Sequence, residues 1–339
     1  MQEMTIREDF FEGAVSLQKG GDWIEALRYR REEKALHHES FVNCAITPAG
    51  VRIRFRTDSK RIGLRVLPLD EPDPRRFDLT LGNDLIETVE LPAGAGDVLF
   101  SELEAGERTV EIWLSQNRLV RVRALLLDNG AKAEVDPDTR LRWVTYGSSI
   151  THCGAAHSPA RTWPAVAARA HDLHLTCLGY GGNCQLEPLV AVMIRDLPAD
   201  FITLKVGINI VGGTLAERTF KTALMGAVRI IREKHPDTPL AVISPIISPP
   251  RETTPGSTGM TLCLMREQLE DAVQRLKSVG DPNISYFDGL ELFGESLVQD
   301  YLPDMLHPND DGYEVMGHRF ADLVLPRLMN ATAEYSGKR

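Results

Sequence analysis

The chain has 339 residues, 43% of them hydrophobic and 25% charged, with a formal net charge of −10. That length and balance suit a globular protein of two domains with ample core. Acidic residues outnumber basic ones both in residues 1–140 and in the remainder, which argues against a dedicated nucleic-acid-binding half. No apolar run approaches the ~20 residues that a bilayer-spanning helix needs, so neither nucleic acid nor membrane is an expected partner.

In chain order, residues 1–18 carry Glu3, Glu8, Asp9 and Glu12 and no apolar core of a secretion signal. Five cysteines (Cys44, Cys153, Cys177, Cys184 and Cys263) include no C-x-x-C pair, which disfavours a disulfide framework or a structural zinc site. The expected location is cytoplasmic. Residues 51–56 alternate strictly, Val-Arg-Ile-Arg-Phe-Arg, as a strand with one buried face does. The same period runs through Ile62, Leu64 and Val66, through Phe77, Leu79 and Leu81, and through Val110, Ile112 and Leu114, and residues 120–127 add a further strand. Short strands between turn signals predict an all-β sandwich or jelly roll over residues 1–132. Arg52, Arg54, Arg56, Arg65, Arg121 and Arg123 are placed on its outer, solvated face, the alternative being contact with an anion or the partner domain. Residues 128–140 read as a linker.

From Leu141 the pattern becomes α/β. Strands are predicted at 143–146 (ending at Gly147), 173–178, 201–206, 240–247 and 284–287, separated by helices at 161–171, 186–197, around Phe220–Ile231 and around Leu262–Leu276, with a closing helix over 312–328. Strands alternating with helices predict a doubly wound parallel sheet over residues 141–339, whose ligands bind at the carboxyl ends of the strands. The Pro/Gly/Ser/Thr-rich stretch 248–260 is either a flexible connection or a lid.

Those strand ends carry the chemistry. Ser149 follows the first strand, Gly182 the second and Asn209 the third, and Asp304 and His307 precede the last helix. Acyl transfer needs this set: a hydroxyl nucleophile, a base for its proton, a carboxylate to orient the base, and fixed donors for the oxyanion. The N–H groups of Ser149 and Gly182 and the Asn209 amide are candidate donors.

The segments Gly147-Ser148-Ser149-Ile150, Gly182-Asn183, Gly207-Ile208-Asn209 and Asp304-x-x-His307 resemble, in order, the four sequence blocks of the SGNH (GDSL-type) serine hydrolases. The β segment ahead of them resembles the two-domain subset, which includes carbohydrate acetyl esterases and a polyketide-tailoring acyltransferase. The resemblance implies a flavodoxin-like core with Ser149 as nucleophile, His307 as base and Asp304 as its orienter. It implies an oxyanion hole of Ser149, Gly182 and Asn209, and no metal or cofactor. Ser148 stands where that family usually has Asp, and Ile210 where it often has another.

Bland readings compete. Ser149 also suits a helix cap, Gly182 and Asn209 suit turns, and Asp304 and His307 suit a capping pair ahead of Asn309 or Asp310. His152 is a rival base, Cys153 a rival nucleophile, and His152 with His157 a weak metal pair. The leading reading is a serine-dependent hydrolase of a small-molecule ester or thioester, such as an acetylated carbohydrate or natural product. The alternatives are an acyltransferase to an alcohol, and a carbohydrate-binding protein with an inactive hydrolase core. Acyl group, acceptor and oligomeric state are not specified by the sequence.

Overall fold

The computed structural model describes residues 1–336, so residues 337–339, the end of the second predicted domain, lie outside the described residues. Two six-stranded antiparallel sheets form the first half. One runs Ser16–Lys19, Ile24–Leu27, Arg121–Leu127, Ile62–Val66 and Asp97–Leu99, with Gln2–Thr5 also paired to Arg121–Leu127. The other runs Ala133–Glu134, Arg52–Thr57, Arg108–Trp113, Arg75–Leu81 and Asp84–Leu91, with Phe11–Glu12 also on Arg52–Thr57. Ile53, Phe55, Phe77, Leu79, Val110 and Ile112 of the second sheet meet Leu64, Val66, Val122 and Leu125 of the first in one buried cluster. Alternation puts these side chains between the sheets, as the sequence pattern demands.

Two features of this half depart from the sequence reading. The stretch 128–140 is not a free linker: Ala133–Glu134 adds an edge strand to Arg52–Thr57, and Asp136 pairs with Arg54. The alternating arginines do not all face solvent either. Arg52 is fully buried, its guanidinium paired with Glu12 and Glu111 and donating to the Leu175 carbonyl of the second half. Arg65 and Arg123 keep the expected outer position, paired with Asp97 and Asp22.

A segment the strand pattern passes over lies between these sheets and the rest. Residues 28–50 form a 3-10 turn, Arg31–Leu36, and a helix, Glu39–Ala45. Phe41, Val42 and Ala45, with Leu27 and Tyr29, pack into the core of the second half rather than that of the sandwich.

The second half is a five-stranded parallel sheet in the order His174–Gly179, Arg142–Gly147, Phe201–Lys205, Leu240–Ile243, Ile284–Phe287. Helices Trp163–Ala170 and Asp310–Leu323 cover one face, where Trp143 stacks on Phe320 at 5.2 Å. Pro188–Asp196 and Glu217–Arg232 cover the other, against Tyr146 and Leu204. The fourth strand stops at Ile243, earlier than its apolar run, because Pro245 has no N–H for the ladder. Pro326 likewise divides the closing helix into Asp310–Leu323 and Leu325–Ser336. Among the described residues no helix is long and apolar enough to cross a membrane.

His174–Gly179 is an edge strand, so the carbonyls of its alternate residues point away from the sheet. The first half fills them. Arg52 donates to Leu175 O at 2.9 Å, and Arg28 donates to Cys177 O at 3.4 Å and to Gly179 O. Arg28 is fully buried, and its other donors meet Cys44 O and Thr47 O. Removing it orphans several buried carbonyls at ~1–3 kcal/mol each. Urea unfolding should therefore show Arg28→Met destabilised by about 3 kcal/mol or more. Arg123→Met, which breaks only a surface pair, should lie within about 0.5 kcal/mol of the parent.

Candidate active site

The first parallel strand ends at Gly147, where a Cβ would lie 2.1 Å from Thr151 Oγ1. Only glycine lets the short helix Ser149–His152 fold back so closely on the strand. Ser148, not Ser149, caps that helix, its Oγ accepting the Ile150 N–H. Ser149 is thus released from the capping role, and its Oγ lies 2.8 Å from His307 Nε2.

His307 is oriented by Asp304. Its N–H donates to Asp304 Oδ1 at 2.6 Å and its Nδ1 lies 2.7 Å from Asp304 Oδ2. A carboxylate only accepts, so Nδ1 carries the ring proton and Nε2 is left to accept from the serine hydroxyl. Burial alone would raise the Asp304 carboxyl. The hydrogen bonds from the His307 N–H, the His307 ring and the Leu306 N–H outweigh it and hold the group below its ordinary value. The turn between them puts Met305 in the left-handed region, φ 59°, an uncommon place for a non-glycine residue. Ser248 holds it there by donating to Met305 O at 2.6 Å. The 248–260 stretch is therefore anchored beside the histidine. Glu252 pairs with Arg266 at 2.6 Å, and Thr258 donates to Leu215 O at 3.0 Å.

Gly182 and Asn209 come to the same strand ends. Asn209 Oδ1 accepts the Cys184 N–H at 3.0 Å, and its NH2 has no partner among the described residues. Gly182 sits at φ 70°, exposed, and its N–H has no acceptor among the described residues. The Ser149 N–H, at the first position of its helix, has none among the described residues either. A Cβ on the adjacent Gly181 would lie 3.7 Å from Ser149 Cβ, which sets this loop against the serine. A hydroxyl–imidazole–carboxylate chain can move a proton, and free N–H donors can hold a developing negative charge.

The rivals lie elsewhere. His152 is half-buried, with Nε2 2.6 Å from Gln116 O and Nδ1 3.3 Å from Cys44 Sγ, and among the described residues it makes no hydrogen bond to Ser149 Oγ. Burial, with the Arg28 charge second, pushes its pKa down to about 3. Cys153 is a fully buried thiol pushed upward by burial. His157 pairs with Asp310 and Asp311 at the surface and does not share a site with His152. Asn309 is the cap of the helix Asp310–Leu323, its Oδ1 accepting the Gly312 N–H.

Residues 141–329 match the family model for the GDSL-like lipase/acylhydrolase family, more than half of the chain. The chain belongs to that family. Residues 10–121 match the model of the SsfX3 N-terminal domain. Over 98% of its length the chain superposes on 97% of the salicylyl-acyltransferase SsfX3 from a tetracycline biosynthetic pathway, at 33% identity and a TM-score of 0.88. Two more distant structures share the fold. One is a family two carbohydrate esterase from Clostridium thermocellum, at 13% identity, 83% of this chain, 93% of that chain and a TM-score of 0.64. The other is the acetyl xylan esterase Est2A from the rumen bacterium Butyrivibrio proteoclasticus, at 11% identity, 97% of this chain, 99% of that chain and a TM-score of 0.63. No curated protein matches the chain. The chain is an enzyme that acts on ester bonds, by hydrolysis or by acyl transfer.

The neutral state of His152 carries a pH signature. Its folded pKa of about 3 lies below the ordinary 6.5, so on acidification the unfolded chain takes up the proton first. Stability therefore falls as pH drops below about 6.5, by up to ~1.4 kcal/mol per pH unit. His152→Gln should flatten that acid-side slope relative to the parent, in urea midpoints measured at pH 7, 6 and 5.

Proposed function

We propose that this chain transfers a small acyl group through a serine acyl-enzyme. The observation that carries this reading is the continuous chain Ser149 Oγ–His307–Asp304, with links of 2.8 and 2.7 Å. Ser149 Oγ attacks the carbonyl carbon of an ester or thioester while His307 Nε2 takes its proton. Asp304 keeps the imidazole in the receptive tautomer and stabilises the imidazolium. The carbonyl oxygen becomes an oxyanion held by the N–H groups of Ser149 and Gly182 and by the Asn209 NH2. One such donor is typically worth ~3–4 kcal/mol of transition-state stabilisation. Collapse expels the alkoxide or thiolate, which leaves with the proton from His307. Water or an alcohol, deprotonated by the same ring, then attacks the acyl-serine and releases free acid or a new ester. Every step is proton transfer or addition–elimination, so the residues suffice without a metal.

A second reading, transfer to an alcohol acceptor rather than to water, is favoured by one observation. The likeness to the salicylyl-acyltransferase extends over both halves of the chain at 33% identity. Under this reading the substrate pair is an activated small acyl group and a hydroxylated natural product; under the first it is an acetylated carbohydrate or similar ester. The site is the same in both. A cytoplasmic location accords with five unpaired cysteines.

With p-nitrophenyl acetate, Ser149→Ala and His307→Ala should each lower kcat by at least ~10³-fold, and Asp304→Asn by roughly 10³–10⁴-fold. Adding sugar or phenolic alcohols should divert product from acetate to the new ester if the acceptor is an alcohol, at unchanged p-nitrophenol release where acylation limits. Unchanged turnover in both the serine and histidine variants would remove the proposal.

A further inference from the structure

Gly181 and Gly182 are two adjacent residues with the greatest backbone freedom of any type, yet the proposed mechanism needs the Gly182 N–H aimed at one point. Their polar groups are accounted for almost completely. The Gly181 N–H donates to Cys44 Sγ at 3.1 Å, Asn183 Nδ2 donates to Gly181 O at 2.6 Å, and Gln185 Nε2 donates to Gly182 O at 3.1 Å. Among the described residues, the Gly182 N–H alone of these groups has no partner.

Gly181 O and the Gly182 N–H belong to one peptide plane. In a trans peptide they point in opposite directions, and the plane turns as a unit. A side chain that grips Gly181 O therefore sets the direction of the Gly182 N–H. Asn183 is that side chain, and it is itself gripped from the first half of the protein. Ser40 Oγ donates to Asn183 Oδ1 at 2.7 Å, and Asn183 Nδ2 also reaches Ser40 O at 3.3 Å. Ser40 lies in the first turn of the helix Glu39–Ala45, whose Phe41 packs against Tyr180 at 4.5 Å.

We infer that Asn183 is a positioning residue for the oxyanion hole, and that Ser40 extends its control to the sandwich half of the chain. The first half then acts on the reaction rate, by fixing a donor, and not only on substrate capture. This rests on the proposed role of the Gly182 N–H. Losing Asn183 leaves the Gly181–Gly182 plane free to rotate, and the N–H is realigned only at the expense of transition-state binding.

The test uses the full chain and p-nitrophenyl acetate. Asn183→Ala should lower kcat by roughly 10–100-fold with KM changed less than about twofold, and should weaken inhibition by phenylboronic acid, whose serine adduct mimics the tetrahedral oxyanion, in the same proportion as kcat/KM. Ser40→Ala, at an exposed position, should produce the same pattern several-fold more weakly and serves if Asn183→Ala does not fold. Asn209→Ala is the reference for loss of a whole donor. Unchanged kcat in Asn183→Ala beside an impaired Asn209→Ala would overturn the inference and leave the proposed function standing. So would a fall in kcat with no change in boronate affinity. Full activity of Ser149→Ala would instead overturn the proposed function.

Discussion

The open edge of the parallel sheet is the constraint from which the rest follows. His174–Gly179 has a neighbour on one side only, and on the other its outward carbonyls would be orphaned or left open to another strand. Two arginines of the first half close it, Arg52 on Leu175 O and Arg28 on Cys177 O and Gly179 O. Arg28 makes no ion pair among the described residues. Its charge is dispersed over main-chain carbonyls and lies 5.2 Å from the Tyr180 ring centroid. The guanidinium suits this use because its donors are fixed in a planar fork and it is weakly hydrated for a cation. The two halves of the chain are thus joined by hydrogen bonds that neither could replace with water once buried.

The same edge strand leads directly into the loop that carries Gly182. Tyr180 donates its N–H to Gly147 O at 2.8 Å, and its buried hydroxyl donates to Arg28 O. The residues after it meet Cys44 and Ser40. The clamp that protects the sheet edge therefore continues, without a break, into the fixing of a glycine pair beside Ser149. Burial at the junction and geometry at the site are one arrangement. That explains why Leu27, Tyr29, Phe41, Val42 and Ala45 belong to the core of the second half although they come from the first.

This arrangement also marks the boundary of what the sequence reveals. Ser149, Gly182 and Asn209 can be read from the sequence because each closely follows the end of a parallel strand, and such ends converge on one edge whatever the details of packing; Asp304 and His307 instead lie in the turn ahead of the helix Asp310–Leu323. The five parallel strands were legible from their apolar runs for the same reason: both faces are buried, so no partner needs to be known. Arg52, Arg54 and Arg56 show where alternation stops being informative. Alternation correctly puts them on one face, but that face is graded, with side chains 0%, 11% and 43% exposed, because the second half covers only one end of it. Nothing in residues 51–56 encodes that cover. Ser40 and Asn183 are 143 positions apart, and each taken alone is an ordinary turn or cap residue. The helix 39–45 is short and begins at a histidine cap, His38, whose ring accepts the Ser40 N–H, a signal that composition hides.

The choice between water and an alcohol as acceptor turns on exposure. The Asp304 and His307 side chains are 53% and 33% exposed, and Met305 between them is also exposed, so in the proposed mechanism the imidazole that activates the acceptor is open to solvent. In such a site water is always present at high concentration, and an alcohol prevails only if binding places its hydroxyl at the imidazole with a large effective molarity and covers the acyl-serine while bound. Selectivity for transfer would then reside in the acceptor's own contacts with the open rim, not in the triad or the oxyanion donors, which treat both acceptors alike. An arrangement of this kind hydrolyses its acyl-enzyme when the acceptor is absent and transfers when it is present. In the proposed mechanism, hydrolysis and transfer by this chain would be separated by the occupancy of one surface beside His307 rather than by any difference in the chemistry of Ser149.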